Sequence, residues 1–437
     1  MKRVFLVMLG LVMVAGILFA GAQGEAAKVH IKWAHYFDPL QSPAAQANAN
    51  WLKKVIADFE KENPNIKVDP ELFQWDQIDN RSILDFQAGV KHDVIFGSPQ
   101  LMAKHFSIGD YLDIAPYIAK WSDAEKKDFS WSPVWASAKN GDKQYGIPTG
   151  VHTRALVVRR DLFKQIGVDP DKGEMSWDDM VEIAQKLTKD GMYGLGNFFG
   201  ASRATIELVF GPLIWHFGGE LWDPQTKKAT FASTAGVQAV QLAYDTVFKY
   251  KITPESAVGG AYEDGVFKPF MEGKAAMAWG WGSYWIQALE DKGMIKSCFP
   301  PSKDCTPGTA GVFVTPTKPK AQFTNAWTIS VHKLSEHPAE SFKLIEYVLK
   351  ADNLAVFGDA GIPARLSTWS KPEMQSAFWQ TWLTAAKNGR GMPATVYYPE
   401  LADAISAAFQ QIIANNAPIA ETLQKAEDEW NGKYAGK

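Results

Sequence analysis

Aromatic side chains beside glycines and polar groups are the residues of this sequence that best fit a chemical task. Residues 277–285 read Met-Ala-Trp-Gly-Trp-Gly-Ser-Tyr-Trp, which places Trp279, Trp281 and Trp285 at the exit of an apolar stretch. Flat rings pack on the C–H faces of a small molecule, while planar or charged groups bind its hydroxyls. The pattern favours non-covalent binding. The alternative is that Trp281 and Trp285, four residues apart, lie on the core-facing side of a helix.

The sequence lacks the motifs of common metal, hydrolase and nucleotide chemistry. Its 8 histidines form no His-Glu-x-x-His pattern and no group with cysteine at metal-ligand spacing, so neither a metal site nor a cofactor is expected. It has no Gly-x-Ser-x-Gly motif, and Gly273-Lys274 lacks the remaining residues of a P-loop. Carboxylates are plentiful, so a secreted glycoside hydrolase with two carboxylates in its cleft stays an alternative.

The first 22 residues have the pattern of an export signal. Lys2 and Arg3 precede an apolar run at 4–20, and the small residues Ala20-Gly21-Ala22 follow. A basic start, an apolar stretch and small residues are typical of a cleaved signal peptide, and a membrane anchor is the alternative. No cysteine follows the run directly, which argues against a lipoprotein. We expect a periplasmic or secreted protein.

Charge and cysteine content fit that compartment. The net charge is -3, with 45 basic and 48 acidic residues well mixed, so no nucleic-acid partner is expected. The only cysteines, Cys298 and Cys305, flank a short loop that contains two prolines. In an oxidising compartment such a pair favours a disulfide, and two free thiols are the alternative.

Strand and helix patterns alternate along the chain. Strands are predicted at 29–33, 66–68 and 94–96, and apolar residues at helical spacing predict a helix around 51–59. Ser176, with Asp179 three residues later, predicts a capping box at the start of another helix. This alternation predicts an α/β protein with two lobes. Trp75 and Asp76 follow the second strand, where they could bind a ligand or form an ordinary surface loop.

An ordered series of segments resembles the sugar-binding branch of bacterial extracellular solute-binding proteins, the group that includes maltose-binding protein. The segments are residues 59–68, 92–96, 109–114, 145–148, 156–163, Gly167, 176–179, 218–219, 270–277 and 361–365. The family usually has Tyr-Asn-Lys before the Asp-Leu pair, whereas this chain has Val158-Arg159-Arg160. The resemblance covers most of the chain after the export signal.

The resemblance implies two doubly wound α/β lobes joined by a hinge, which is the periplasmic-binding-protein type II fold. Lobe 1 is expected at 23–150 plus about 330–358, and lobe 2 at 151–325 plus about 359–437. The ligand would lie in the cleft between the lobes, which agrees with the rule that open parallel sheets bind ligands beyond the carboxyl ends of their strands.

The resemblance also implies a function. The expected protein is a non-catalytic, monomeric subunit that captures a sugar or oligosaccharide and delivers it to the membrane permease of an ABC importer. A polyamine, a peptide or a phosphorylated small molecule is the alternative ligand, because clustered carboxylates and rings, or arginines and free amides, would bind those instead.

Strand ends and the resemblance together select the candidate ligand-binding residues. They are Phe37, Asp38, Trp75, Asp76, Ser98, His152, Arg154, Trp215, Trp279, Trp281, Trp285, Trp327, Arg365 and Tyr398. Several have a structural alternative. Asp38 could cap a turn before Pro39, His152 and Arg154 could form a buried pair, Trp215 could be a core residue, and Arg365 could form a salt bridge at the hinge.

Overall fold

The computed structural model describes residues 28–40, 43–299, 301–314, 321–355 and 362–437. The predicted export signal at 1–22 and the expected lobe boundary at about 358–359 lie outside the described residues. Among the residues that are described, no helix is long and apolar enough to cross a membrane.

The strands form two separate main sheets. Numbered along the chain, the strands of these sheets are β1 (Val29–His35), β2 (Ile66–Leu72), β3 (Val94–Gly97), β4 (Ile147–Pro148), β5 (His152–Arg159), β6 (Tyr193–Gly196), β7 (Ala275–Gly282), β8 (Ala310–Phe313), β9 (Gln322–Asn325), β10 (Thr328–Val331) and β11 (Gly389–Arg390). Three short two-stranded ribbons lie outside them, formed by Lys139–Asn140 with Lys143–Gln144, Trp222–Asp223 with Lys228–Ala229, and Ile295–Lys296 with Thr306–Pro307.

Helices cover these sheets. The α-helices of five residues or more in the described ranges are α1 (Pro43–Glu62), α2 (Ile78–Gln87), α3 (Met102–Ile108), α4 (Asp123–Ser130), α5 (Arg160–Gln165), α6 (Trp177–Leu187), α7 (Gly211–His216), α8 (Thr234–Phe248), α9 (Ile286–Asp291), α10 (Pro338–Val348), α11 (Ala351–Ala355), α12 (Ala377–Lys387), α13 (Tyr398–Asn415) and α14 (Ile419–Tyr434). The predicted capping box at α6 is present, because the Asp179 N–H donates to the Ser176 hydroxyl at 3.0 Å.

The first sheet has the order β2-β1-β3-β10-β4. β1 runs parallel to β2 and β3, whereas β10 runs antiparallel to β3 and β4. The second sheet has the order β11-β9-β5-β7-β6, and β8 also pairs with β5. The predicted α/β class is confirmed, although both sheets are mixed because the strands entering from the other sheet run antiparallel to their neighbours.

The chain passes between the sheets through short segments that lie side by side. Residues 149–151 join β4 to β5, and residues 326–327 join β9 to β10. The Thr149 N–H donates to the Trp327 carbonyl at 3.2 Å, and the Val151 N–H donates to the Ile362 carbonyl at 2.8 Å. Gly150 also forms a bridge with Pro363, so a third stretch of chain joins the other two at this point.

A disulfide joins Cys298 and Cys305, with an S–S distance of 2.13 Å. The loop is held further by Glu290, whose carboxylate accepts the backbone N–H groups of Ser297, Cys298 and Phe299 at 3.1, 2.7 and 2.7 Å. The Trp379 indole N–H donates to the Cys298 carbonyl at 3.1 Å. These bonds fix the loop against α9 and α12.

Removing the disulfide should destabilise the protein. Closing a loop of this length limits the unfolded chain by about 2–3 kcal/mol, so the Cys298→Ser/Cys305→Ser variant should lose about that much free energy of unfolding. Urea denaturation of the oxidised protein, the reduced protein and the double variant measures this. An unchanged midpoint on reduction would show that the hydrogen bonds to Glu290 and Trp379 hold the loop without the bridge.

Candidate functional site

The carboxyl ends of β1, β2 and β3 meet along one edge of the first sheet. Because these strands are parallel, the residues after each of them, 36–38, 73–76 and 98–100, follow the same edge. β10 begins there too, since Thr328 pairs with Gly97, and this brings Trp327 to the edge. The edge therefore combines aromatic rings with polar groups supplied by four strands.

Tyr36 and Trp327 form an aromatic surface at the crossing. Their ring centroids are 4.3 Å apart with the planes at 36°. Trp327 is half-buried, so part of its ring faces solvent, and its carbonyl accepts the Thr149 hydroxyl at 3.2 Å. One face of this pair packs on the core, and the exposed part of Trp327 can face a ligand.

Phe37 and Asp38 form contacts that stabilise the fold. Phe37 is buried among Trp51 and Phe96, with ring centroids 6.0 and 5.3 Å away. The Asp38 carboxylate accepts the Leu40 N–H at 2.9 Å, which is the turn-capping arrangement. Of this segment, only the partly exposed Asp38 side chain stands open to a ligand.

Trp75 is the large aromatic side chain that stands out from this edge. It is 56% exposed, in a loop where Gln74 and Asp76 are exposed as well. An exposed tryptophan with a carboxylate beside it suits a ligand that has an apolar face and polar substituents. Ser98, after β3, is half-buried, and its N–H is already committed to the Asp79 carboxylate at 2.9 Å.

Glu207 connects the two halves of the molecule and was missed by the sequence analysis. Its carboxylate accepts the Gln100 amide at 3.4 Å from the loop after β3 and the Tyr398 hydroxyl at 3.0 Å from the start of α13. Glu207 lies in a π-helical turn, Ile206–Phe210, and such turns are frequent at functional sites. The one available sequence signal was a single carboxylate inside the apolar run 206–210.

The Glu207 side chain is half-buried and lies near the positive charges of Arg154 and Arg203. Burial raises the pKa of its carboxyl, although the Tyr398 hydrogen bond and the charge of Arg154 oppose the rise. Burial also raises the pKa of Tyr398 well above its ordinary value, and the Glu207 charge adds to this. Among the described residues, no Lys or Arg forms an ion pair with Glu207. This carboxylate is therefore held only by neutral donors, which a ligand could replace.

His152 and Arg154 lie at the start of β5, directly after the crossing. Both are buried, and the Arg154 guanidinium lies 5.6 Å from the Phe323 ring centroid. Burial and the neighbouring Arg154 charge lower the pKa of His152 to about 3, so the imidazole is neutral at physiological pH. This position supplies a fixed positive charge near the cleft, together with a neutral ring.

Three of the predicted tryptophans lie in the core of the second sheet. Trp215 is buried under the Arg390 guanidinium, 4.6 Å from its ring centroid. Trp279 packs on Trp177 at 4.0 Å, and Trp281 packs on Phe267 at 5.3 Å. The structure does not bring these rings to the edge that carries Trp75 and Trp327.

Trp285 and Arg365 occupy intermediate positions. Trp285 follows β7 in a short 3-10 turn, is half-buried and packs on Phe267 at 4.2 Å. Trp281 lies on strand β7, so Trp281 and Trp285 do not lie on one face of a helix, which was the structural alternative for this pair. Arg365 donates to the Asp128 carboxylate at 2.6 Å and to the Leu349 carbonyl at 3.0 Å, which is a structural salt bridge on α4.

The site therefore offers aromatic surface, hydrogen-bonding groups and one fixed positive charge. In the part of the chain that the structure describes, no three His, Cys, Asp or Glu side chains are grouped so that they could hold a metal ion. These groups suit reversible binding of a small polar molecule between the two sheets.

Comparison with known proteins identifies the family. The model of the bacterial extracellular solute-binding protein family matches residues 44–355. The chain belongs to this family. Among individual relatives, a binding protein of Brucella abortus is 22% identical over 424 residues, which covers 95% of this chain and 96% of that one. An amino-acid ABC transporter periplasmic-binding protein of Sinorhizobium fredii is 21% identical over 335 residues, and the alignment covers 74% of this chain and 71% of the relative.

Solved structures of this family share the fold. A maltose-bound protein of T. maritima has a TM-score of 0.74 at 20% identity and covers 92% of this chain and 99% of its own. A solute-binding protein of Thermotoga lettingae bound with α-D-tagatose has a TM-score of 0.73 at 20% identity, with 93% and 99% covered. The predicted family and the periplasmic-binding-protein type II fold are confirmed. The chain is thus a bacterial extracellular solute-binding protein with this fold.

The geometry of Arg365 predicts a role in stability. Replacing it with alanine removes the cation from the half-buried Asp128 carboxylate, which keeps its bonds to Ser367, so the free energy of unfolding should fall by about 2 kcal/mol. Solute affinity should stay within about twofold of the wild-type value. Urea denaturation and binding assays on Arg365→Ala separate the two roles. A large loss of affinity at unchanged stability would assign Arg365 to the ligand instead.

The buried neutral His152 predicts sensitivity to acid. In the unfolded chain it takes up a proton near pH 6.5, whereas in the folded protein its pKa is about 3. The unfolded state thus binds more protons between these values, and stability should fall as pH drops through this window. The His152→Gln variant should show a shallower fall in denaturation experiments at pH 7, 5.5 and 4. Replacement of the exposed His30 is the control, and an unchanged slope in His152→Gln would contradict the assignment.

Proposed function

We propose that this protein captures a sugar or oligosaccharide between its two sheets and delivers it to the permease of an ABC importer. The observation that carries the proposal is the pairing of an exposed aromatic edge, Trp75 and Trp327, with the carboxylate of Glu207 on the opposite side. Sugars combine apolar C–H faces with a rim of hydroxyls, so both kinds of group are needed to bind them.

The polar groups around Glu207 are suited to hydroxyl recognition. Glu207, Gln100 and Tyr398 already form hydrogen bonds with one another, so ligand hydroxyls can replace some of these bonds without leaving a buried group unsatisfied. Arg154 adds donors from the floor of the cleft. Because Gln100 belongs to one sheet and Glu207 to the other, a ligand that binds both would favour a closed arrangement.

Closure would occur around the adjacent crossing segments. Lobe 1 is proposed to comprise residues 23–150 and about 330–358, and lobe 2 residues 151–325 and about 359–437. Residues 366–370 are an exception within the last range. They pack beside α4 and would move with lobe 1, because Arg365 and Ser367 both bind Asp128. A few residues at 149–151 and 326–327 would absorb the rotation.

The proposal includes export and a monomeric state. Family members are extracellular solute-binding proteins, and the pattern at 1–22 would direct this chain to the same side of the membrane. Removal of the signal would leave Gln23 as the first residue of the mature protein, which N-terminal mass spectrometry on the exported protein tests.

A solute panel tests the ligand class. In a thermal-shift assay we expect stabilisation by a sugar or polyol, using maltose, α-D-tagatose and ribitol, with amino acids and spermidine as the competing classes. A ligand at 100 times its Kd should raise Tm by about 5 °C, since it binds only the folded state. Stabilisation by amino acids or spermidine alone would reject the sugar assignment, and release of shorter products from an oligosaccharide would support a glycoside hydrolase.

Trp75 should contribute affinity without contributing stability. The Trp75→Ala variant removes an exposed ring, so Tm without ligand should stay unchanged while the Kd for the bound sugar rises about tenfold. Tyr193→Ala is the matched control, because Tyr193 is a 37% exposed ring at the amino end of β6, away from the cleft edge. Equal affinities of the two variants would remove Trp75 from the site.

A further inference from the structure

The loop after β3 connects the cleft with a buried network of charged groups. On its cleft side, Gln100 donates to Glu207 at 3.4 Å. On its inner side, the Ser98 N–H donates to the Asp79 carboxylate at 2.9 Å. The position of this loop therefore depends on where Asp79 is held.

Asp79 is held by an imidazole that is enclosed by two carboxylates. His105 Nε2 lies 3.0 Å from Asp79 Oδ1, and His105 Nδ1 lies 2.8 Å from Asp110 Oδ2. The His105 ring is completely buried and stacks on Tyr111, with centroids 4.3 Å apart and an interplanar angle of 12°. Tyr111 also fits closely against the end of β3, where a Cβ atom at Gly97 would lie 2.6 Å from its hydroxyl oxygen.

Both nitrogens of the His105 ring donate in this network, because the two neighbouring carboxylates favour the protonated ring. Burial alone would lower the pKa of His105, but the hydrogen bonds and charges of Asp110 and Asp79 outweigh burial and raise the pKa to about 9. Ser82 donates a further bond to Asp110 at 3.3 Å. An imidazolium between two carboxylates has a nearly fixed geometry, since each charged hydrogen bond restricts the ring.

A second network of the same design lies at the opposite end of β3. His92 Nδ1 lies 2.6 Å from Glu71 Oε2, and His92 Nε2 lies 3.0 Å from Asp85 Oδ2. Its carboxylate Asp85 lies on α2, as Asp79 does, and the two are 5% and 7% exposed. His92 precedes β3 and packs on His332 at 5.5 Å, so this network lies at the amino end of the strand, away from the cleft.

We propose that His105 is a positioning residue for solute binding, which fixes the loop at 98–101 against the cleft through Asp79 and the Ser98 N–H. The inference rests on the proposed function as far as the solute is concerned. The His92 network stabilises the same lobe without touching the loop. Comparing variants of the two networks therefore separates an effect on the stability of the fold from an effect on solute binding.

Hydrogen exchange without any solute tests the anchoring directly. Asp79→Asn puts an amide N–H₂ in front of the His105 N–H, while Asp85→Asn makes the same change against His92. Both variants should lose similar thermal stability, but only Asp79→Asn should raise the exchange rate of peptides covering 98–101, by about tenfold. Asp79→Ser, which is smaller and brings no second donor group, repeats the test if the asparagine variant fails to fold. Equal exchange of the loop in the Asp79 and Asp85 variants would overturn the proposal.

Binding assays then connect the loop to the solute. Calorimetric titration with maltose, α-D-tagatose and ribitol should show about tenfold weaker binding for Asp79→Asn than for Asp85→Asn, the loss expected from one charge-assisted hydrogen bond. Equal affinities of the two variants for a sugar that the wild type binds would contradict a positioning role. If the wild type binds none of the three, the assigned solute class fails, while the exchange experiment still decides whether the pair of Asp79 and His105 anchors the loop.

Discussion

The hydrogen bonds among the crossing segments are the constraint on which the rest of the structure depends. Thr149, Val151, Trp327 and Ile362 lie side by side, so the crossing segments hold the two sheets next to each other. Trp327 and Arg154 adjoin these segments, and Gln100, after β3, lies within 3.4 Å of Glu207. In the proposed function, the few backbone dihedral angles of the crossing segments would absorb the rotation of the sheets, which is the requirement for a hinge.

The charge state of a buried histidine in this protein depends on the charge of its neighbours. His105 and His92 each lie between two carboxylates, so attraction outweighs the cost of burial and favours the imidazolium. His152 has Arg154 as its charged neighbour, so burial and repulsion act together and keep it neutral. The partners, and not the depth of burial, decide the charge, since all three rings are buried.

Local sequence patterns predicted the parts of the fold that depend on neighbours in the chain. The strands at 29–33 and 94–96 and the capping box at Ser176 are examples, because alternation and capping are local properties. Trp279 and Trp281 of β7 were predicted as ligand contacts although they are buried. A tryptophan beside a glycine has the same sequence pattern in a core strand and at a binding edge, so the pattern cannot distinguish the two. Every residue of β7 is buried, so no alternation distinguishes its two faces.

Long-range pairing explains why the polar centre of the site could not be predicted. Glu207 meets residues 107 positions before it and 191 positions after it, and nothing in the run 206–210 indicates those partners. The family resemblance predicted the fold but gave no indication of this carboxylate. A binding protein needs contacts on both sides of its hinge, because a ligand shifts the open–closed equilibrium only by its difference in affinity for the two states. Glu207 accepts hydrogen bonds from Gln100 on one side and Tyr398 on the other, so under the proposed function a solute that replaces these bonds would contribute to that difference.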